Sequence, residues 1–211
     1  MIRVLMADDH TLVREGLRQL LAATGDVRID GEAATGDEAL ALVKANDYDL
    51  AVLDMSMPGI AGLELIKRVK LEKPRLRVLV LSMHGEAQYA ARALKAGASG
   101  YLTKDSASAQ LVNAIRKIAA GGVHISEAAA ALLVAAQGGA RDGAAAPHGR
   151  LSDREFEVFR LLVDGLGPTD IAERLHLSVK TVSTHKTRIL EKMGMQSTAE
   201  LVRYAVENKL A

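Results

Sequence analysis

Asp54 closes an apolar run at residues 49–54, and the Met-Ser-Met-Pro-Gly that follows breaks the pattern. Apolar residues leading into one acid read as a buried parallel strand with a carboxylate at its C-terminal end. In open α/β sheets ligands sit at that end. A carboxylate there can hold a metal, take up a phosphoryl group, or simply cap the next helix. Four further residues fall at equivalent places: Asp8 and Asp9 end the run 2–7, Ser82 ends 77–82, and Lys104 ends 98–103. A doubly wound sheet gathers such strand ends on one edge, so all five converge without long side-chain reach. Three crowded carboxylates repel one another unless a divalent cation binds them. A set with neither imidazole nor thiolate favours Mg2+ over zinc. A lysine opposite can neutralise a phosphoryl group, and a serine hydroxyl can hydrogen-bond to it. Cation, lysine and free carboxylate together are the equipment for phosphoryl transfer to Asp54.

The elements that must position these groups follow from periodicity. Apolar runs at 2–7, 27–34, 49–54, 77–82 and 98–103 alternate with helical spacings at 11–23, 36–44, 63–69, 86–95 and 107–119. Five strand–helix alternations in this length imply a doubly wound, five-stranded parallel sheet covered by helices on both faces. Gly121-Gly122 ends the last helix, and 127–136 is a further Ala-rich helix. Residues 137–150 lack periodicity and are dominated by Gly, Ala and Pro, which reads as a flexible tether. Three parts result: 1–120, a linker helix and tether at 121–150, and an all-α domain at 151–211.

From Leu151 the texture is helical. Ser152 with Glu155 forms a capping box before Phe156, Val158, Phe159, Leu161 and Leu162. Gly165 to Pro168 is a break, 169–175 a short helix, and Ser178 caps a longer one at 179–193 that Gly194 ends; 198–207 closes the chain. Four helices with short turns suggest a helix-turn-helix. On the helix from Val179, Val182, Ile189, Leu190 and Met193 make a buried stripe. Lys180, Lys186, Arg188 and Lys192 oppose the single acid Glu191. Cations and short hydroxyl side chains on one helix suit the DNA major groove.

Bulk composition narrows the classes. The chain has 211 residues, and its 3% aromatic content leaves the cores to Leu, Val, Ile and Ala. The absence of cysteine removes disulfides, thiolate metal sites and cysteine nucleophiles. No signal-peptide pattern opens the chain and no run approaches the roughly 20 apolar residues of a membrane helix; a cytoplasmic protein without membrane contact is expected. Net charge is +1, so any basic surface is local.

Asp8-Asp9, the stretch from Asp54 through Pro58 to Gly62, Ser82, and Gly100-Tyr101-Leu-Thr-Lys104 resemble the receiver domain of two-component response regulators. Leu151–Val158, Asp170–Leu175 and Ser178–His185 resemble the LuxR-type helix-turn-helix, and the whole chain the NarL/FixJ group. The resemblance implies that Asp54 accepts phosphate from a sensor histidine kinase. Asp9, Asp54 and the Ser56 backbone carbonyl would bind Mg2+, with Asp8 acting through water. Lys104 would pair with the phosphoryl group, and Ser82 with Tyr101 would form a switch that biases homodimerisation. In the reader, Ser183, Thr184 and Thr187 would face bases of double-stranded DNA, and Lys180, Thr181, Lys186 and Arg188 the phosphates. Leu201, Val202, Tyr204 and Ala205 would make the dimer contact, and His185 would pack rather than ligate. Ser56 and His84, each two positions after a site residue, would tune hydrolysis of the acyl phosphate.

One position departs from the pattern: Asp105 stands where many receivers have proline, and a non-proline cis bond there would cost about 2.5–4 kcal/mol. Two other readings compete. In one, a regulator works without phosphate and keeps the acids as structure. In the other, an aspartate-dependent phosphatase of the haloacid dehalogenase type uses Asp54, but that family needs an acid two residues on, where Ser56 stands. A nucleotide-binding fold is disfavoured, since no P-loop or GxGxxG follows the first strand.

Overall fold

A computed structural model describes residues 1–83, 87–137, 146–175, 177–208 and 210. It divides into two compact units, Met1–Val134 and Ala135–Ala211. Among the described residues no helix is long and apolar enough to cross a membrane.

The first unit alternates strand and helix: β1 (Ile2–Ala7), α1 (Thr11–Ala22), β2 (Val27–Ala33), α2 (Gly36–Ala45), β3 (Leu50–Asp54), α3 (Gly62–Glu72), β4 (Arg77–Ser82), α4 (Ala87–Lys95), β5 (Gly100–Thr103) and α5 (Lys104–Ala119). All five strands pair in parallel in the order β2-β1-β3-β4-β5, the expected doubly wound sheet. Every residue of β3 is buried, as a central strand covered on both faces requires. Val4, Met6, Leu50, Val52, Leu79, Leu81 and Leu102 pack with Leu17 and Leu21 of α1 and with Leu111, Ala114, Ile115 and Ile118 of α5. Strand alternation turns Leu5, Ala51, Leu53, Val78 and Val80, all fully buried, to the opposite face.

Two boundaries differ from expectation for local reasons. β5 begins at Gly100, and Lys104 is the first residue of α5 rather than the end of the strand. The cause is Thr103, whose hydroxyl accepts the Ser106 N–H at 3.3 Å and so caps the helix three residues earlier than its apolar spacing suggested. Beyond α5 the chain returns to the sheet edge. The Tyr101 N–H donates to the His124 carbonyl at 2.8 Å, and the His124 N–H to that of Ser99 at 3.2 Å, before α6 (Glu127–Gln137). This one-residue bridge has no periodicity for sequence to reveal.

The second unit holds a 3-10 turn (Pro147–Arg150), α7 (Asp153–Val163), α8 (Pro168–Arg174), α9 (Val179–Met193) and α10 (Thr198–Glu207). Ser152 and Glu155 form the expected capping box. Phe156 and Phe159 are fully buried with ring centroids 6.0 Å apart, so two rings anchor a core otherwise built from aliphatics. Ser178 caps α9, and Gly194, at φ 67°, ends it in the left-handed region that favours glycine. Part of the expected tether proves ordered. Gln137 is helical, and His148 is buried with Nδ1 2.6 Å from the Tyr204 hydroxyl, fastening the 3-10 turn to α10. Residues 138–145 lie outside the described residues.

Candidate functional site

Asp8 and Asp54 are almost wholly buried, at 0% and 1% exposure, at the C-terminal edge of β1 and β3. Lys104, opening α5, reaches both: Nζ lies 2.7 Å from Asp8 Oδ2 and 2.9 Å from Asp54 Oδ2. The other Asp54 oxygen, Oδ1, accepts the Ser56 N–H at 3.1 Å. Burial raises the Asp54 pKa, reinforced by the Asp8 charge, while Lys104 and the Ser56 amide oppose the rise. Burial works against the Lys104 ammonium as well, but contact with the two carboxylates outweighs it and the lysine pKa is raised.

Asp9 is more open, yet its Oδ1 is shielded from solvent and accepts no hydrogen bond. That oxygen lies 2.7 Å from His10 Nδ1, and a shielded carboxylate oxygen beside two further acids fits a divalent cation. Ligand atoms from Asp8, Asp9, His10 and Asp54 all lie within 4.8 Å of one another. The residues present therefore suit the expected metal, with one addition: His10, which the all-oxygen reading of the set passed over.

The switch candidates are buried too. Ser82 is 1% exposed at the end of β4, and Tyr101 is 7% exposed on β5 with its ring 6.5 Å from that of Tyr89 on α4. His84 lies outside the described residues. Lys104-Asp105 needs no proline: no cis peptide bond is present among the described residues, and Asp105 sits in the first turn of α5, where an acid complements the helix dipole.

Two supports of the site carry no sequence signal of their own. Arg14 of α1, which reads as an ordinary surface arginine, donates to the Asp8 carbonyl and, at 3.4 Å, to the Thr11 hydroxyl, holding the turn that bears the acids. Downstream of Asp54, the Gly36 N–H donates to the Pro58 carbonyl at 3.1 Å, and Asp37 Oδ2 accepts the Ile60 N–H at 3.2 Å. A Cβ on Gly36 would overlap the Ile60 carbonyl oxygen, so the start of α2 clamps this loop. A cavity of about 500 Å³ among Tyr48, Asp49, Lys73 and Arg77 lies at the opposite, N-terminal ends of the strands and holds none of these residues.

In the second unit α9 turns Val182, Ile189 and Met193 into the core, with Leu190 half-buried. Lys180, Ser183, Thr184, Thr187 and Arg188 are exposed, and Thr181 and Lys186 half-buried. Thr181 is engaged at the helix cap, 2.8 Å from the Ser178 hydroxyl. Thr184 and Thr187 donate their hydroxyl protons to the Lys180 and Ser183 carbonyls at 2.9 and 3.1 Å, so each hydroxyl retains only acceptor capacity. Lys192 pairs with Glu155 of α7 at 2.7 Å. Arg154 donates to the Leu175 carbonyl at 2.9 Å, closing the turn between α8 and α9. Half-buried His185 has its pKa lowered by burial and then by the Arg154 charge, in keeping with a packing role.

The expected dimer contact requires correction. Leu201 and Ala205 are fully buried because they face the core of their own unit. They cannot also form an outer contact. On α10, Val202 and Tyr204 are half-exposed and Val206 is open to solvent.

Comparison with known proteins bears on both units. A family profile described as a response regulator receiver domain matches residues 4–116, and one for bacterial regulatory proteins of the luxR family matches residues 149–205. The response regulator UvrY of Escherichia coli is 34% identical over 210 residues, covering 100% of this chain and 96% of that protein. The oxygen regulatory protein NreC of Staphylococcus epidermidis is 36% identical over 215 residues, covering 99% of each. RcsB from Salmonella enterica serovar Typhimurium, solved bound to a promoter in the presence of a phosphomimetic, superposes with a TM-score of 0.71 at 30% identity, covering 96% of this chain and 97% of that one.

Proposed function

Because the chain belongs to the NarL/FixJ group of response regulators, a receiver domain followed by a LuxR-type DNA-binding domain, we propose that Asp54 is its phosphoryl acceptor and that phosphorylation controls DNA binding. The observation that carries this reading is the buried Asp54 carboxylate held between the Lys104 ammonium and the Ser56 amide. Both contacts favour the ionised, nucleophilic form. Asp54 attacks the phosphorus of a histidine kinase's phosphohistidine; the new P–O bond forms as the P–N bond breaks, and the imidazole leaves. Lys104 then faces the transferred group and balances part of its charge.

Asp9, Asp54 and the Ser56 carbonyl would hold Mg2+, with Asp8 acting through water; the cation's chemistry is to neutralise the phosphoryl oxygens. Ser82 turns toward the new oxygens, and Tyr101 follows into the vacated space. The resulting change in shape around α4, β5 and α5 biases homodimerisation. In this reading the receiver spans 1–120, residues 121–150 link it, and the reader occupies 151–211 with the 3-10 turn at its margin. Lys180, Thr181, Lys186 and Arg188 hold phosphates and Ser183, Thr184 and Thr187 meet base edges, on half-sites about one helical turn apart. Val202 and Val206 replace the buried pair as the outer apolar face of α10. The protein is a cytoplasmic regulator that assists its own phosphoryl transfer and dephosphorylation rather than a metabolic enzyme.

Incubation with acetyl phosphate and Mg2+ is expected to add one phosphoryl group to the wild type and none to Asp54→Asn. DNA affinity and dimer fraction should rise only in the wild type. Unchanged mass, or equal DNA affinity in both proteins, would sink the proposal.

A further inference from the structure

We propose that residues 121–125 form a strap that latches α6 to the edge of the receiver sheet through the backbone of Tyr101, and that phosphorylation of Asp54 releases it. The inference rests on the proposed phosphorylation of Asp54 and its Tyr101 switch, and adds the route by which the change leaves the receiver.

The end of α5 is built to send the chain back. The Gly121 N–H donates to the Ile118 carbonyl at 2.9 Å and the Gly122 N–H to that of Lys117 at 2.9 Å, the paired bonds of a Schellman motif. Gly121 sits at φ 92°, in the left-handed region that favours glycine. Turned in this way, the chain reaches β5, where His124 pairs in parallel with Gly100. The His124 N–H donates to the Ser99 carbonyl at 3.2 Å, and the His124 carbonyl accepts the Tyr101 N–H at 2.8 Å. Gly100 admits this approach: a Cβ there would stand 3.0 Å from the His124 carbonyl oxygen and 2.6 Å from Ile118 Cδ1.

The cap of α6 follows at once. Ser126 Oγ accepts the Ala129 N–H at 3.2 Å, the Ser126 carbonyl accepts the Ala130 N–H at 3.0 Å, and Ala129 is fully buried. The hydrogen bond from Tyr101 therefore ends two residues before the cap of the helix that leads, in sequence, toward the reader.

The strap is lightly held. Among the described residues its backbone hold on β5 is two hydrogen bonds, and Val123 beside them is 47% exposed, so little apolar area adds to them. A hydrogen bond returned to water loses little net free energy, and segments of this kind open locally more easily than core strands. Tyr101 joins both ends of the device: its buried ring packs 6.5 Å from that of Tyr89, and its N–H holds the strap. A ring that moves inward draws on the β5 backbone that carries it, and the bond to His124 weakens. The strap is seated in the arrangement where Lys104 pairs directly with the Asp54 carboxylate, so the seated strap belongs to the unphosphorylated form.

The test is residue-resolved amide hydrogen exchange of the full-length chain before and after treatment with acetyl phosphate and Mg2+. Protection at Tyr101 and His124 should fall about 10-fold in the wild type, with the core strands little changed, and should stay constant in Asp54→Asn. His124→Pro removes the donor to Ser99 and lies outside the phosphoryl-transfer machinery. It should take up phosphate as the wild type does, yet bind DNA about 5-fold more tightly than the wild type before phosphorylation. Gly100→Ala, which crowds the strap from the sheet side, should shift DNA binding in the same direction. Tyr101 and His124 protection that holds or rises in the phosphorylated wild type would overturn the latch. So would wild-type DNA affinity in both unphosphorylated variants. If the wild type takes up no phosphate, the Asp54 reading fails by itself, and the DNA affinities of the two variants still decide whether the strap restrains the reader.

Discussion

Lys104 and Asp54, 50 residues apart in sequence, meet at 2.9 Å in a setting where the carboxylate is 1% exposed, and the same ammonium lies 2.7 Å from Asp8. One cation thus compensates two buried acids, and removing it strands both. Lys104→Met should destabilise the receiver by about 3 kcal/mol in the presence of a chelator. Asp54→Asn in that background should recover part of the loss. Urea unfolding of the full chain measures both. Phosphoryl uptake from acetyl phosphate by Lys104→Met should fall about 100-fold, as expected when a charge-stabilising donor is removed.

Gly36 controls the loop after Asp54 through its close approach to the Ile60 carbonyl. Gly36→Ala should lower stability by about 2 kcal/mol through overpacking and displace residues 58–60. The lifetime of the phosphorylated form should change with it, whereas Gly16→Ala, where a Cβ meets nothing within 4 Å, should alter neither. Thermal denaturation and a dephosphorylation time course distinguish the two variants.

Glu155 caps α7 and receives Lys192 from α9 at 2.7 Å. Burial pushes its pKa up, but Lys192 and the Ser152 cap outweigh this, and the net value is lowered. A carboxyl depressed in the folded state contributes stability that is fully present above the unfolded value, roughly pH 4.3, and is lost as pH falls through the folded one. Protection factors along α7, taken against the intrinsic exchange rate at each pH, should therefore fall below about pH 4 in the wild type. That acid sensitivity should flatten in Glu155→Gln. Lys192→Met should destabilise the reader by roughly 1 kcal/mol, a modest figure because the lysine is partly solvated.

Lys180 and Arg188 are exposed on α9, as phosphate contacts must be. Alanine at either position should weaken binding to all sequences alike and reduce the slope of log affinity against log salt by about 1. Ser183→Ala should instead change which sequences are selected from a random pool, with the salt slope unaltered. A reversal of these two patterns would exchange the roles assigned to the residues.

How much of this was legible in the sequence follows from the kind of interaction involved. Asp8, Asp9, Asp54 and Ser82 could be placed because an apolar run ending in a polar residue marks a strand terminus, and parallel topology brings such termini to one edge. Arg14, Gly36 and Arg154 could not. Each acts through a backbone group outside its own helix, the Asp8, Ile60 and Leu175 carbonyls respectively, and such a contact leaves no periodic trace. Leu201 and Ala205 failed for a related reason: an apolar stripe on a terminal helix reads the same whether it covers its own core or a partner's.

The sequence by itself determined the two architectures, the acid cluster and the basic reader helix, since hydrophobic period and strand-end chemistry are local properties of the chain. Only the tertiary structure decided that Lys104 opens a capped helix instead of closing a strand and that His124 covers the edge of β5. It likewise decided that His148 belongs to the reader and that His10 joins the acids at the site. For His124 and His148 the outcome depends on which distant groups come within hydrogen-bonding reach once the core has packed, whereas Lys104 and His10 are placed by short-range contacts at strand ends whose geometry the fold sets.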